Sequence, residues 1–199
     1  KNTTTASELG VLTTAANIET VNITSSGGKA YQVASPVMTG AKTLNLLGAQ
    51  DLLLGTEIVT NMAASTAAAN SVINASALTG KLTIGSAAVV GVEASSITLT
   101  GGSAADKFYF GATLNNNATS TAGDVIDGGD GSDTLFLTDV TGAVTTLEAK
   151  SVTNVETVSI MTVSGGNDTI SMKNMPTTTD VNITGAANYW HDDVVVDKR

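Results

Sequence analysis

The chain contains no cysteine, which excludes a disulfide framework. This does not place it in the cytosol, because bacterial secreted proteins often do without cysteine and are stabilised by metal instead. Aromatic residues are scarce, at 4%, so a core has to be built from Val, Ile, Leu and Ala. With 42% hydrophobic residues there is enough material for one. Proline occurs twice against 20 glycines, which points to many tight turns rather than a proline-rich linker. Basic residues number 9 against 18 acidic ones, for a net charge of −9. Phosphate contacts need clustered Lys and Arg, so the balance argues against nucleic acid as a partner.

Catalytic material is equally thin. The single histidine, His191, reads as a surface or packing residue. Neither the G-x-S-x-G elbow of serine hydrolases nor the H-E-x-x-H helix of zinc proteases is present. The expectation is a protein that is not an enzyme. No apolar run is long enough for a membrane span, and no signal peptide is visible. The start at Lys1 without Met, and the end at Asp197-Lys198-Arg199, read as a piece of something longer.

What the chain does have is short alternating runs. Ile18-Glu19-Thr20-Val21-Asn22-Ile23-Thr24, Lys42-Thr43-Leu44-Asn45-Leu46, Lys81-Leu82-Thr83-Ile84 and Ser96-Ile97-Thr98-Leu99-Thr100 are examples. Others are Phe108-Tyr109-Phe110, Thr134-Leu135-Phe136-Leu137, Val155-Glu156-Thr157-Val158-Ser159-Ile160, Asp168-Thr169-Ile170-Ser171-Met172 and Asp180-Val181-Asn182-Ile183. Period two, β-branched residues and flanking Gly, Asn, Ser or Asp make each a strand. Helix is expected only in the Ala-rich stretch 62–69 and over 145–151. Glu19 and Glu156 sit inside strand patterns and read by default as solvent-facing, with a ligand role as the alternative.

Asn17-Ile18-Glu19-Thr20-Val21-Asn22-Ile23 and Asn154-Val155-Glu156-Thr157-Val158-Ser159-Ile160 are near-copies. Short strands, frequent turns and self-similarity predict an all-β fold, a right-handed parallel β-helix or β-solenoid of stacked coils. An antiparallel β-sandwich is the competitor, but hairpin dipeptides between long runs are scarce. The organisation expected is solenoid coils over 1–100, metal-binding coils over 101–172 and terminal strands over 173–199.

The segment Gly128-Gly129-Asp130-Gly131-Ser132-Asp133-Thr134-Leu135-Phe136 resembles the nonapeptide G-G-x-G-x-D-x-U-x, with U apolar, of calcium-binding RTX proteins. The resemblance implies Ca2+ as the bound ion. The chemistry is coherent: glycines such as Gly128 and Gly131 turn carbonyls inward, and Asp133 adds a carboxylate. Calcium is a hard ion that takes about six to eight oxygens. Reading the frame backwards puts Asp124, Asn115 and Asp106 at the same ligand position, with Asp130 and Asp127 inside the glycine-rich stretch. Asp127 has the competing reading of an exposed residue. A partial copy, Ser164-Gly165-Gly166-Asn167-Asp168-Thr169-Ile170, adds Asp168, with a plain β-turn as its rival reading. A coil of two nonapeptides would stack Asp106 beside Asp124 and Asn115 beside Asp133.

The nonapeptide, the N-[IV]-E-T-V-x-I phrase and the Thr/Ala/Ser/Gly-rich background together resemble the C-terminal part of Gram-negative surface-layer proteins of the RTX type. That resemblance implies a structural protein secreted by a type I system to the bacterial cell surface. There it would fold and assemble on calcium, with lattice contacts between copies and a cell-surface polysaccharide bound through another region. Alternatives carrying the same motif are a rigid segment of a large RTX adhesin and the non-catalytic tail of a secreted hydrolase.

Overall fold

The structure, a computed structural model, describes residues 7–55, 62, 70–86, 96–114, 123–138, 146–162, 169–185 and 195–197. Each alternating run named above forms a strand. One sheet holds eight: β1 (Ser7–Thr13), β3 (Tyr31–Val37), β5 (Leu52–Leu54), β7 (Leu82–Ile84), β9 (Lys107–Gly111), β11 (Thr134–Thr138), β14 (Thr157–Thr162) and β16 (Asp180–Gly185). A second holds six: β2 (Thr20–Ser25), β4 (Thr43–Gly48), β6 (Ser71–Leu78), β8 (Ile97–Thr100), β10 (Val125–Asp127) and β13 (Ser151–Thr153). A third has β12 (Thr146–Leu147), β15 (Thr169–Ser171) and β17 (Val195–Asp197).

Every described strand pair is parallel. Sequence neighbours go to different sheets, and each strand pairs with the equivalent strand one coil away. The fold is therefore a parallel β-solenoid, consistent with a right-handed parallel β-helix, and not a sandwich. Among the described residues there is no helix. The helix expected over 145–151 is replaced by β12 and the start of β13, because Thr146, Val152 and Thr153 are β-branched and coil stacking supplies their partners. Of the Ala-rich stretch, residues 63–69 lie outside the described residues. The eight-stranded sheet continues from β7 to β9 and the six-stranded sheet from β8 to β10, so the coils on either side of residue 100 share both sheets.

Alternation places one apolar column on each long sheet. Val33, Leu54, Ile84, Phe108, Leu135 and Val158 stack in register on the first, all buried. Leu44, Ile73, Leu99, Ile126 and Val152 stack on the second, each with no exposed surface. At about 1.5–3 kcal/mol per buried side chain, these columns are the main force holding the coils together. Phe108 and Phe110 lie inside, whereas Tyr109 and Phe136 point outward and stack ring on ring at 4.2 Å.

Candidate metal centre

At the entry to the eight-stranded sheet, an acidic residue recurs on consecutive coils. Asp106 precedes β9, Asp133 precedes β11 and Glu156 precedes β14. Their carboxylates are linked by backbone bonds. The Leu82 N–H donates to Asp106 Oδ1 at 2.7 Å, the Asp106 N–H to Asp133 Oδ1 at 2.7 Å, and the Asp133 N–H to Glu156 Oε2 at 2.8 Å. Each acid thus caps the amide of the residue one coil back. Asp106 and Asp133 are buried, at 1% and 0% exposure, and Glu156 is half-buried.

This column corrects the expected stacking. The partner of Asp133 is Asp106, 27 residues away. That is three nonapeptides, so the coil is longer than the expected two. Coil length also varies: 23 residues separate Asp133 from Glu156, and 30 separate Asp51 from Lys81. Asp124 belongs elsewhere. It is fully buried at the entry to β10 in the second sheet, where its Oδ1 accepts the Ile97 N–H at 3.1 Å. Its carbonyl accepts the amides of Lys150 and Ser151. Asn115 and Asp168 lie outside the described residues.

The corners leading into Asp106 and Asp133 are stacked copies. Residues 101–106, Gly-Gly-Ser-Ala-Ala-Asp, lie against residues 128–133, Gly-Gly-Asp-Gly-Ser-Asp. Gly131 has φ +124°, a left-handed conformation that side chains rarely adopt. Asp130 is exposed at the tip, tied down by its N–H to the Gly102 carbonyl at 3.0 Å. Gly128 is needed for closeness. A Cβ there would collide with the Asn154 carbonyl oxygen and stand 2.5 Å from Asp133 Oδ2. One coil earlier, a Cβ on Gly101 would meet the Gly128 carbonyl oxygen and Asp106 Oδ2. Each corner therefore gathers a carbonyl and a carboxylate oxygen about one point.

The two corners differ in one bond. In the first, Asp106 Oδ2 accepts the Gly102 N–H at 2.8 Å. In the second, the equivalent Gly129 N–H goes to Asp127 Oδ1 at 3.1 Å. Asp127 is in register with Thr100, which has no carboxylate to offer. Asp127 also accepts from Asn154 Nδ2 at 2.8 Å. Asp133 Oδ2 is consequently buried without a hydrogen-bond partner among the described residues. A buried, unpaired carboxylate oxygen is costly unless a proton or a cation accompanies it.

Electrostatics point the same way. Burial pushes the Asp133 carboxyl up to about 7, against the hydrogen bond from the Asp106 amide, with Asp106, Glu156 and Asp127 adding like charge. Burial also raises Asp106, opposed by the amides of Leu82 and Gly102. Carboxylates one strand spacing apart, about 5 Å, repel by roughly 3 kcal/mol at an effective dielectric near 20. Solvent screens part of this at half-buried Glu156. Among the described residues the salt bridges are Lys42–Glu19 and Lys173–Glu148, neither of which reaches this column.

A cation with a taste for oxygen fits this corner, on the strength of the unpaired Asp133 oxygen and the cradle over Gly128. Among the described residues no three Asp, Glu or His side chains converge on one point. The converging oxygens are instead a carboxylate and a main-chain carbonyl, a mixture suited to calcium rather than to zinc. The nonapeptide flagged Asp133, Gly128 and Gly131. It did not flag Glu156 as a neighbour, although Asp133-Thr134-Leu135 and Glu156-Thr157-Val158 share the pattern acid, Thr, apolar.

Comparison with protein-family models, with curated proteins and with solved structures returns no match to this chain. Among the described residues no helix is long and apolar enough to cross a membrane.

Proposed function

We propose that this chain is a structural segment of a secreted bacterial surface layer, with its solenoid corner set by calcium. The observation that carries the calcium reading is the buried Asp133 Oδ2 beside the Gly128 cradle, which lacks a hydrogen-bond partner among the described residues. Asp133 supplies the carboxylate, the Asn154 carbonyl borders the same point, and Asp106 holds Asp133 in place through its amide. Calcium, when bound, supplies the positive charge that this run of acids lacks. With a dissociation constant of about 10⁻⁴ M and calcium near 10⁻³ M, one site adds about 1.4 kcal/mol to folding. In a cell interior with little calcium the same acids repel, which favours a loose, exportable chain; outside, the ion favours the packed coil.

The surface-layer role is supported by resemblance. The nonapeptide over 128–136, the N-[IV]-E-T-V-x-I phrase and the small-residue background carry it, together with the lack of any catalytic motif. Lattice contacts between copies are part of the reading, as is the bacterial cell surface as location. Thermal melts in calcium and in EGTA test the calcium part: an unchanged melting temperature removes it. Electron microscopy of purified protein in calcium tests the lattice part, since a surface-layer protein forms two-dimensional arrays and an adhesin stalk does not.

A further inference from the structure

We infer that Glu156, which lies outside the glycine-rich repeat, is the second carboxylate of the Asp133 site. This rests on the calcium reading above. The fold puts the two near-copies of the N-[IV]-E-T-V-x-I phrase in different sheets, at β2 and β14. In the first copy Glu19 precedes β2 and has its own cation. Lys42, in the next coil, forms an ion pair with it at 2.7 Å, and both side chains are about two-thirds exposed. The Lys42 hydrogen bond holds the Glu19 carboxyl below its usual range.

In the second copy the same position has no such partner among the described residues. The Glu156 carbonyl accepts the amides of Thr179 and Asp180, so the residues facing it in the next coil are a hydroxyl and another acid. The Glu156 carboxylate turns the other way. It reaches back to the Asp133 N–H at 2.8 Å, which holds it on the residue whose Oδ2 is, among the described residues, the one buried carboxylate oxygen lacking a partner, and close enough for its charge to act on the Asp133 carboxyl. The same phrase brings a second oxygen to that corner. Asn154 sits at φ +51°, a conformation Asn tolerates better than most side chains. Its carbonyl borders the Gly128 cradle beside Asp133 Oδ2. Asn154-Val155-Glu156 thus brings a carbonyl to the cradle beside Asp133 Oδ2 and a carboxylate onto the Asp133 amide. Two carboxylates with a carbonyl oxygen make a donor set for a hard divalent cation. The second copy of the phrase closes the calcium corner, where the first is closed by Lys42.

Calorimetric titration of calcium into the full chain tests this with three proteins: wild type, Glu156→Gln and Glu19→Gln. Gln at 156 keeps an oxygen for the Asp133 amide and removes only the charge. The expected result is at least about tenfold weaker calcium binding in E156Q, the lower end of what losing a supporting ligand contact costs a metal site. E19Q should bind as wild type does. Wild-type affinity in E156Q overturns the role of Glu156 while leaving calcium at Asp133 intact. A wild type that takes up no calcium overturns the calcium reading and this inference with it. Glu156→Asp, which keeps the charge but withdraws it by one methylene, is the second variant, for use if E156Q loses its strand signal in circular dichroism. It should also bind calcium more weakly, and wild-type affinity there counts against the inference equally.

Discussion

The Asp106 amide donates to Asp133 Oδ1 at 2.7 Å across 27 residues of sequence, joining two stacked glycine-rich corners through a buried carboxylate. One oxygen of Asp133 is thereby used by the fold, and the other, Oδ2, is left without a partner among the described residues. Asp133→Asn separates the two roles. Its side-chain oxygen still accepts the Asp106 amide, while its NH2 takes the place of Oδ2 and faces the Asn154 carbonyl. In EGTA at pH 8 the variant should melt at or above the wild-type temperature, because a buried charge is gone. Calcium should no longer raise its melting point. Differential scanning calorimetry with and without calcium reads both effects, and a full calcium response in D133N would remove Asp133 from the site.

The raised Asp133 carboxyl gives a pH dependence of unusual sign. Its folded value is about 7 against an ordinary 3.8. Between those values the folded chain holds a proton that the unfolded chain has released, so stability falls as pH rises through this window. Calcium-free protein should therefore melt lower at pH 8 than at pH 5, by roughly 5–10 °C for a chain of this size. Calcium should abolish most of the difference, since it replaces the proton. Melting curves in EGTA that rise from pH 5 to pH 8 would contradict the assignment.

Asp127 acts on the site indirectly. By taking the Gly129 N–H it leaves Asp133 Oδ2 free, where Gly102 in the preceding coil donates to Asp106 Oδ2 instead. Asp127→Thr copies the residue in register with it, Thr100. The Gly129 amide should then turn to Asp133 Oδ2 and compete with calcium. Weaker calcium binding with an unchanged or higher melting point in EGTA is the expected pair of results. The loss should be smaller than in D133N, because the carboxylate itself remains.

The strands were legible because alternation and β-branching act locally, and the alternating runs flagged in the sequence all form strands. Coil length was not legible. It depends on how many residues each corner needs before the next strand returns to register. The corner from Gly128 to Asp133 holds a full glycine-rich copy, whereas Asn154-Val155-Glu156 makes the following corner with three residues fewer. An eighteen-residue coil therefore put Asp124 beside Asp106, when Asp124 opens a strand of the other sheet. Strands such as Ser71-Val72-Ile73-Asn74-Ala75-Ser76-Ala77-Leu78 were missed because small residues blur the alternation, and parallel pairing with β4 and β8 is what holds them. In the sequence Glu156 reads only by default as solvent-facing, with a ligand role left open, since nothing within seven residues of it marks a metal site. The signal was the acid-Thr-apolar line shared by Asp133 and Glu156, at a spacing of 23.

Glycine 128 offers a test that leaves every charge in place. Gly128→Ala adds a methyl that collides with the Asn154 carbonyl and crowds Asp133 Oδ2 at 2.5 Å, the two oxygens that border the ion corner. Backbone oxygens in a stacked coil cannot move aside cheaply, so overpacking should cost at least about 2 kcal/mol and lower the melting point by roughly 4–8 °C. The calcium-dependent rise should disappear as well. Gly10→Ala is the control: nothing lies within 4 Å of its added methyl, and its strand β1 is distant in sequence from the acids. It should leave both the melting point and the calcium response where they are. A Gly128→Ala protein that is destabilised yet keeps the full calcium response would show that this corner is packed for stability alone and that the ion binds elsewhere.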